Sequence, residues 1–191
     1  MRALNLIAQT SLDGFVAGSN GEFTSFIGGE ENLGFVCSIT DTADAAMFGR
    51  VSYELLQSNW LTAGNRPDAT KNEIKYSKWY NSFSKIVVSK SLANDNLQNT
   101  TIISDNILPE TSKIKGQPGK DILIFGSPTI VNELFDSDII DNIWLLVHPV
   151  MFGSGISLFR NQKKVTKLNL AISHQLSNGT LCNKYAVQKS N

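Results

Sequence analysis

Apolar and polar positions follow a pattern along the chain that predicts short strands separated by helices. Strands are predicted where apolar or β-branched runs of about four to eight residues stop at Gly, Asn, Asp or Ser. These runs span residues 3–10, 44–48, 85–89, 100–104, 121–125 and 142–148. Two further runs, 170–176 and 181–187, flank Asn178-Gly179, a dipeptide that favours a tight hairpin.

Helices are predicted in four segments between the strands. In these segments apolar residues recur at intervals of about three or four, as on the buried face of an amphipathic helix. The segments span residues 30–40, 50–57, 70–83 and 128–135. Strands that alternate with helices favour an α/β fold with a mainly parallel sheet covered by helices on both faces. The late hairpin adds antiparallel strands to that sheet.

The composition limits the classes of protein to consider. At 191 residues the chain is expected to form one domain, residues 1–191. No apolar run approaches the roughly 20 residues that span a bilayer, so a membrane is not an expected partner. The two cysteines and two histidines are Cys37, Cys182, His148 and His174, and they lie too far apart to predict a zinc site or a disulfide framework. We expect a cytoplasmic protein without a metal.

The charge is balanced overall but not locally. Seventeen Lys and Arg match seventeen Asp and Glu, whereas a protein that neutralises nucleic-acid phosphates needs a basic surplus. Nucleic acid is therefore not an expected partner. Residues 1–48 contain one basic residue, Arg2, and six acidic ones. That local field disfavours a phosphorylated substrate beside this segment.

Three predicted strands end in residues that suit phosphate groups. The ends are Gly49-Arg50-Val51-Ser52, Ser89-Lys90-Ser91 and Gly126-Ser127-Pro128-Thr129. Ligands of open α/β sheets bind beyond the carboxyl ends of strands, where helix N-termini and basic side chains attract anions. Each end taken alone is explained as a turn, a helix cap or solvated surface. Three in succession favour a dinucleotide, although the Gly-x-Gly-x-x-Gly signature of Rossmann folds does not follow the first strand.

Five segments, taken in order, resemble a known family. They are SLDGFVAG (11–18), MFGRVSYE (47–54), KIVVSKSL (85–92), ILIFGSPTIVNEL (122–134) and HPVMFGSGISLF (148–159). They resemble the dihydrofolate reductase-like family, specifically the reductase domain of riboflavin-biosynthesis deaminase-reductases. The resemblance implies a three-layer α/β fold with a mostly parallel eight-stranded sheet and an antiparallel C-terminal hairpin. It also implies a homodimer and an NADPH-dependent activity like that of 5-amino-6-(5-phosphoribosylamino)uracil reductase.

The resemblance assigns parts of NADPH to the three strand ends. Gly49, Arg50 and Ser52 would hold the adenosine side, and Ser89, Lys90 and Ser91 would contact the 2′-phosphate. Gly126, Ser127 and Thr129 would lie along the pyrophosphate and the nicotinamide ribose, with Ala8 near the nicotinamide. An acidic residue that would select NADH is not expected at these ends.

Asp13 and Glu30 are the candidate catalytic carboxylates. Asp13 follows the first strand, and Glu30 lies where folate-reducing relatives carry a pocket acid. The preferred explanations are structural: Asp13 stabilises an Asp-Gly turn, and Glu30 complements the dipole of a helix N-terminus. His148 is expected to be a core histidine with a satisfied hydrogen bond. The hydride comes from the cofactor, so the proton donor is water or one carboxylate.

Two other functions stay open at this stage. A dihydrofolate reductase-type enzyme would set Glu30 or Glu31 against the pterin ring and would need a cation for the glutamate tail. A non-catalytic dimer would bind NADPH without turnover. In either case the substrate or ligand is a small molecule, and the apolar segment 139–152 is the expected dimer contact.

Overall fold

Strands and helices alternate along the protein, as the sequence pattern predicts. The computed structural model describes residues 1–92, 97–160 and 162–189. The elements are β1 (Leu4–Thr10), β2 (Phe15–Ala17), α1 (Glu30–Thr40), β3 (Ala43–Gly49), α2 (Arg50–Trp60), a 3-10 helix (Ala63–Asn65), α3 (Lys71–Ser82), β4 (Ser84–Val88), β5 (Thr100–Ile103), α4 (Ile107–Lys115), β6 (Asp121–Phe125), α5 (Pro128–Phe135), β7 (Asn142–Val147), β8 (Ile156–Ser157), β9 (Leu168–Gln175) and β10 (Leu181–Val187). In the described part of the chain, every helix is too short or too polar to cross a bilayer.

Eight of the strands form one sheet in the order β5-β4-β3-β6-β1-β7-β10-β9. The pairs β3–β4, β4–β5 and β1–β7 are parallel. β10 runs antiparallel to both β7 and β9, as the predicted hairpin requires. β2 and β8 form a separate two-stranded antiparallel pair. The predicted fold class is confirmed: a mostly parallel eight-stranded α/β sheet with antiparallel strands at the C-terminus.

The contacts within the chain define two compact units. One comprises residues 1–2 and 28–123, and the other comprises residues 3–27 and 124–191. The first unit contains β3, β4 and β5 with α1 to α4. The second contains β1, β2 and β7 to β10 with α5. The expectation of a single domain over residues 1–191 stays a prediction.

The first unit is built around α3, β3 and β4. α3 begins where Thr70 and Glu73 form a capping box, each side chain accepting a hydrogen bond from the other residue's backbone N–H. Tyr80 on α3 and Phe48 on β3 are fully buried. Phe83 contacts both rings at centroid separations of 5.5 and 5.9 Å. This apolar centre supports β3 and β4 side by side.

The second unit has one buried strand and one fully exposed strand. Every residue of β1 is buried except Gln9, whereas every residue of β9 is exposed. β9 belongs to the antiparallel hairpin and not to the parallel strands for which helix cover is predicted. In its sequence, Leu168, Leu170 and Ile172 alternate with polar or small residues and can form an edge strand without a helix against it.

The sequence pattern does not predict four elements: β2, the 3-10 helix, α4 and β8. β2 and β8 contain three and two residues, too few for a period to show. α4 contains Pro109. A proline usually predicts the end of a helix, although it is tolerated in a first helical turn. The predicted boundaries otherwise differ from the observed ones by a few residues at most.

Candidate functional site

Two of the predicted phosphate-binding strand ends are neighbours in the first unit. β3 and β4 are parallel, and Gly49 lies opposite Val88 in their register. Gly49 is also the N-cap of α2, and it supplies no side-chain hydrogen bond to that helix. The first N–H groups of α2 are therefore open to an anionic ligand. The structure thus brings Gly49, Arg50 and Ser52 to the same edge of the sheet as Ser89.

Arg50 is held only loosely at this edge. Its Nη1 donates hydrogen bonds of 3.0 and 2.9 Å to the two carboxylate oxygens of Glu54, one helical turn away. Both side chains are nearly half exposed. Exposed pairs of this kind contribute only about 0.3–0.5 kcal/mol, so the Arg50 guanidinium remains available to a phosphate.

Ser89 and Lys90 differ in what they can offer. The buried Ser89 hydroxyl oxygen accepts hydrogen bonds from the N–H groups of Ser91 and Leu92, at 3.2 and 3.0 Å. Ser89 therefore stabilises the turn after β4 and retains only its own proton to donate. The Lys90 side chain is 83% exposed and its Nζ lies 3.6 Å from the Asp105 carboxylate. Asp105 follows the neighbouring strand β5, outside the three predicted strand ends, and brings a carboxylate beside Lys90.

The third strand end lies in the second unit, next to β1. Gly126 follows β6 with φ of +45°, and its N–H donates a 2.9 Å hydrogen bond to the Ile7 carbonyl. A Cβ at Gly126 would approach no atom closer than that carbonyl oxygen, at 4.0 Å. The turn therefore needs glycine for its left-handed backbone and not for lack of space. Ala8, the next residue on β1, is 3% exposed.

α5 begins at this turn with its N-terminal N–H groups free of a side-chain cap. Ser127 is the N-cap residue but makes no side-chain cap hydrogen bond, and Pro128 occupies the first turn. Ser127 is 5% exposed, whereas Thr129 is exposed. Thr129 is therefore the hydroxyl of this strand end that solvent reaches.

Asp13 has a structural role in the second unit. Its carboxylate accepts backbone hydrogen bonds from Gly153 at 2.8 Å and Phe152 at 3.2 Å. A hydrogen bond with the Ser11 side chain, together with these two N–H groups, lowers the pKa of Asp13. Asp13 therefore contacts its own turn through Ser11, as expected, and also holds the loop after β7, which the sequence does not predict.

Glu30 also acts at a distance in sequence. Its carboxylate accepts hydrogen bonds from the Thr70 hydroxyl at 2.6 Å and the Asn72 N–H at 3.1 Å. Glu30 does lie in the first turn of α1, as predicted. Its side chain also stabilises the N-terminus of α3, a second role that the sequence did not predict.

His148 is a fully buried histidine with hydrogen bonds on both ring nitrogens. Nδ1 accepts from the Ile27 N–H at 3.2 Å, and Nε2 lies 2.9 Å from Oε1 of Gln9. Phe26 packs on the imidazole with 4.8 Å between ring centroids. Burial lowers the pKa of His148. The expectation of a satisfied core histidine agrees with this environment, but no sequence signal marked Gln9 as its partner.

A separate cavity of about 410 Å³ lies in the first unit. Its lining includes Ser104, Asp105 and Lys113, beside β5 and α4. The lining residues, all within the described chain, include none of the predicted cofactor-binding residues. The predicted site is therefore an open edge of the sheet and not this cavity.

Comparison with known proteins agrees with the resemblance in the sequence. Residues 2–182 match the family described as the RibD C-terminal domain, and the chain belongs to that family. The Bacillus subtilis (strain 168) protein YyaP, which is uncharacterized, is 30% identical over 181 residues, covering 94% of this chain and 92% of YyaP.

Two solved structures share the fold at low sequence identity. One is a diaminohydroxyphosphoribosylaminopyrimidine deaminase/5-amino-6-(5-phosphoribosylamino)uracil reductase from Thermotoga maritima, with TM-score 0.68 and 12% identity, covering 98% of this chain and 57% of that chain. The other is dihydrofolate reductase from Enterococcus faecalis complexed with NADP(H), with TM-score 0.60 and 13% identity, covering 97% of this chain and 94% of that chain. The dihydrofolate reductase-like fold is thereby confirmed.

Proposed function

We propose that this member of the RibD C-terminal domain family is an NADPH-dependent reductase of a small heterocyclic or carbonyl/imine compound. The observation that carries the proposal is the pair of parallel strand ends at β3 and β4. They set the uncapped N-terminus of α2, where Arg50 stands, beside the strand end that leads into the Ser89-Lys90-Ser91 turn. Such an edge suits the phosphorylated ribose of NADPH.

The residues of each unit fit a different part of the cofactor. In the first unit, Arg50 and Lys90 would neutralise the 2′-phosphate, while Gly49 and Ser52 would contact the adenosine ribose. In the second unit, the Gly126 turn and the start of α5 suit a pyrophosphate, because the helix start has no side-chain cap and Gly126 has no Cβ. Ala8 would lie beside the nicotinamide. The bound cofactor would supply the hydride.

We favour water as the proton donor. The two candidate carboxylates, Asp13 and Glu30, already accept two hydrogen bonds each from neighbouring protein groups. Asp13 has, in addition, a lowered pKa, which makes it a poorer acid near neutral pH. Under this proposal both carboxylates position loops, and substrate orientation provides most of the rate.

A homodimer forms part of the proposal, and the structure suggests a different contact from the predicted segment 139–152. Leu168 and Leu170 lie opposite Val187 and Tyr185 on one face of the edge strand β9 and are 40% and 58% exposed. A long apolar edge strand is a template for pairing with another chain unless it is covered. A cytoplasmic location is likewise proposed, and it accords with Cys37 and Cys182 not being linked by a disulfide.

Cofactor binding and turnover test the proposal separately. Fluorescence titration should show tighter binding of NADPH than of NADH. NADPH oxidation should then be followed with the deaminated pyrimidine ribotide, with dihydrofolate, and with a panel of ketones and imines. Oxidation with dihydrofolate would favour a folate reductase. Tight NADPH binding without oxidation of any compound would favour a non-catalytic binding protein.

A further inference from the structure

Gln9 occupies an unusual position in the sheet. It lies on β1, which has a strand on each side in the eight-stranded sheet, and it is the single exposed residue of that strand. A single exposed polar side chain on an otherwise buried central strand is typical of a position that a ligand covers. Gln9 follows Ala8 directly near the carboxyl end of β1, so its backbone adjoins the residue that the proposed function places beside the nicotinamide, while its own side chain points to the other face of the sheet.

The orientation of the Gln9 amide is set by His148. The Ile27 N–H can only donate, so Nδ1 of His148 must accept and the ring proton must be on Nε2. Nε2–H therefore donates to Oε1 of Gln9. The NH2 group of Gln9 is left pointing outward, and none of the described residues accepts a hydrogen bond from it.

The imidazole itself has little freedom to rotate. His148 is 0% exposed and packs against Phe26, which in turn stacks on Phe152 with 5.1 Å between ring centroids. The Thr180 hydroxyl lies 3.4 Å from Nδ1 on the buried side. A side chain fixed in this way is a preorganised donor, because the cost of ordering it is already met in the folded protein.

The two segments that carry Gln9 and its partner His148 contain few charged residues. Residues 3–27 contain no Lys or Arg and two acids, and residues 148–159 contain no charged residue. Leu12 and Met151, on the adjoining loops, are 66% and 68% exposed. Such surroundings suit an uncharged aromatic compound and disfavour a phosphate.

We infer that Gln9, held by the positioning residue His148, selects an uncharged heteroaromatic substrate by donating a hydrogen bond to its ring carbonyl. This inference rests on the proposed function for the neighbouring cofactor, but its chemistry is independent of the hydride step. The carboxamide carbonyl of NADPH is a second acceptor of the same kind, and the experiment distinguishes the two.

The test uses hypoxanthine, which has a ring carbonyl beside an N1–H group, and adenine, which has an amino group beside an unprotonated N1. Ligand-observed NMR titrations of NADPH-saturated protein should show hypoxanthine binding about tenfold tighter, the upper range for one neutral hydrogen bond. Gln9→Glu should invert the preference, because a carboxylate accepts from the amino group. Gln9→Leu should abolish it. His148→Phe retains an aromatic ring but frees the Gln9 amide to rotate, and should reduce the preference to about twofold or less.

Several results would overturn the inference. The first is an equal preference for hypoxanthine in the Gln9→Leu and unmodified proteins. The second is that neither base binds. The third is that inosine monophosphate binds more than tenfold tighter than inosine, which would show that the site prefers a phosphate. A several-fold loss of NADPH affinity in Gln9→Leu would assign the donor to the cofactor carboxamide instead. If His148→Phe fails to fold, the two Gln9 variants decide the question.

Failure of the proposed function would be recognised separately. If NADPH does not bind, that function is wrong, and the same titrations are run without cofactor. A retained hypoxanthine preference that Gln9→Glu inverts would then still support the role of Gln9, and its absence would overturn it.

Discussion

The carboxylate of Asp13 accepts a 2.8 Å hydrogen bond from the backbone N–H of Gly153, 140 positions later in the chain. This contact joins the loop after β1 to the loop after β7. Because Asp13 also accepts from Phe152, two N–H groups depend on one carboxylate. Asp13, the strongest candidate for a catalytic acid in the sequence, thus holds two loops together through hydrogen bonds.

The stability of the Asp13→Asn variant should fall less steeply than that of the unmodified protein as the pH is lowered. The folded-state pKa of Asp13 lies below its ordinary value, so its contribution is present above about pH 4 and is lost as the pH falls through the folded pKa. Melting temperatures measured from pH 7 to pH 2 should differ most near neutrality and converge in acid. Asp68→Asn, in an exposed loop, is the control and should follow the unmodified protein. Lost turnover at unchanged stability would instead make Asp13 catalytic.

Gly126→Val is expected to abolish NADPH binding while the fold survives. A side chain in the left-handed region costs roughly 1–2 kcal/mol or more, and relief of that strain would move the turn away from the cofactor. Gly21 has φ of +83° and no atom within 4 Å of a built Cβ, so Gly21→Val carries comparable strain elsewhere. Urea unfolding and fluorescence titration should show lost stability in both variants and lost binding in one. Unchanged affinity in Gly126→Val would place the cofactor elsewhere.

Lys90→Ala should reduce the preference for NADPH over NADH by about tenfold. Hydrogen bonds to charged groups contribute about 1.5–3 kcal/mol, but Lys90 is highly exposed and has Asp105 beside it, which favours the lower value. Asp105→Asn should raise NADPH affinity a few-fold by removing the competing carboxylate. Lys78→Ala, at an exposed position of α3, is the matched control. A Lys90→Ala protein with full preference would show that another group binds the 2′-phosphate.

Sedimentation should show a dimer at micromolar concentration, mediated by β9. The double variant Leu168→Asp, Leu170→Asp places charges on the apolar face of the strand and should yield the 21.0 kDa monomer. The double variant Asn169→Asp, Ile172→Asp places them on the opposite, also exposed face and should remain dimeric. If the unmodified protein sediments as a monomer, or both variants dissociate alike, this contact is not the dimer interface.

The local sequence determined most of the secondary structure. The predicted helix over residues 30–40, the strand over 121–125 and the helix over 128–135 coincide with α1, β6 and α5. Their signals are short-range: apolar period, turn residues and a proline in a first turn. The five family segments, in their order, predicted the fold class for the same reason, because each segment can be recognised from its own residues alone.

The partners of the polar side chains were decided by the tertiary structure alone. Glu30 binds the start of α3, Lys90 has Asp105 beside it, and Gln9 is held by His148 from 139 positions away. No periodicity links such residues, because they meet only when strands distant in sequence become neighbours in the sheet. The sequence could therefore name the candidate groups at the strand ends. Which of them are left free for a ligand depends on the hydrogen bonds that folding completes.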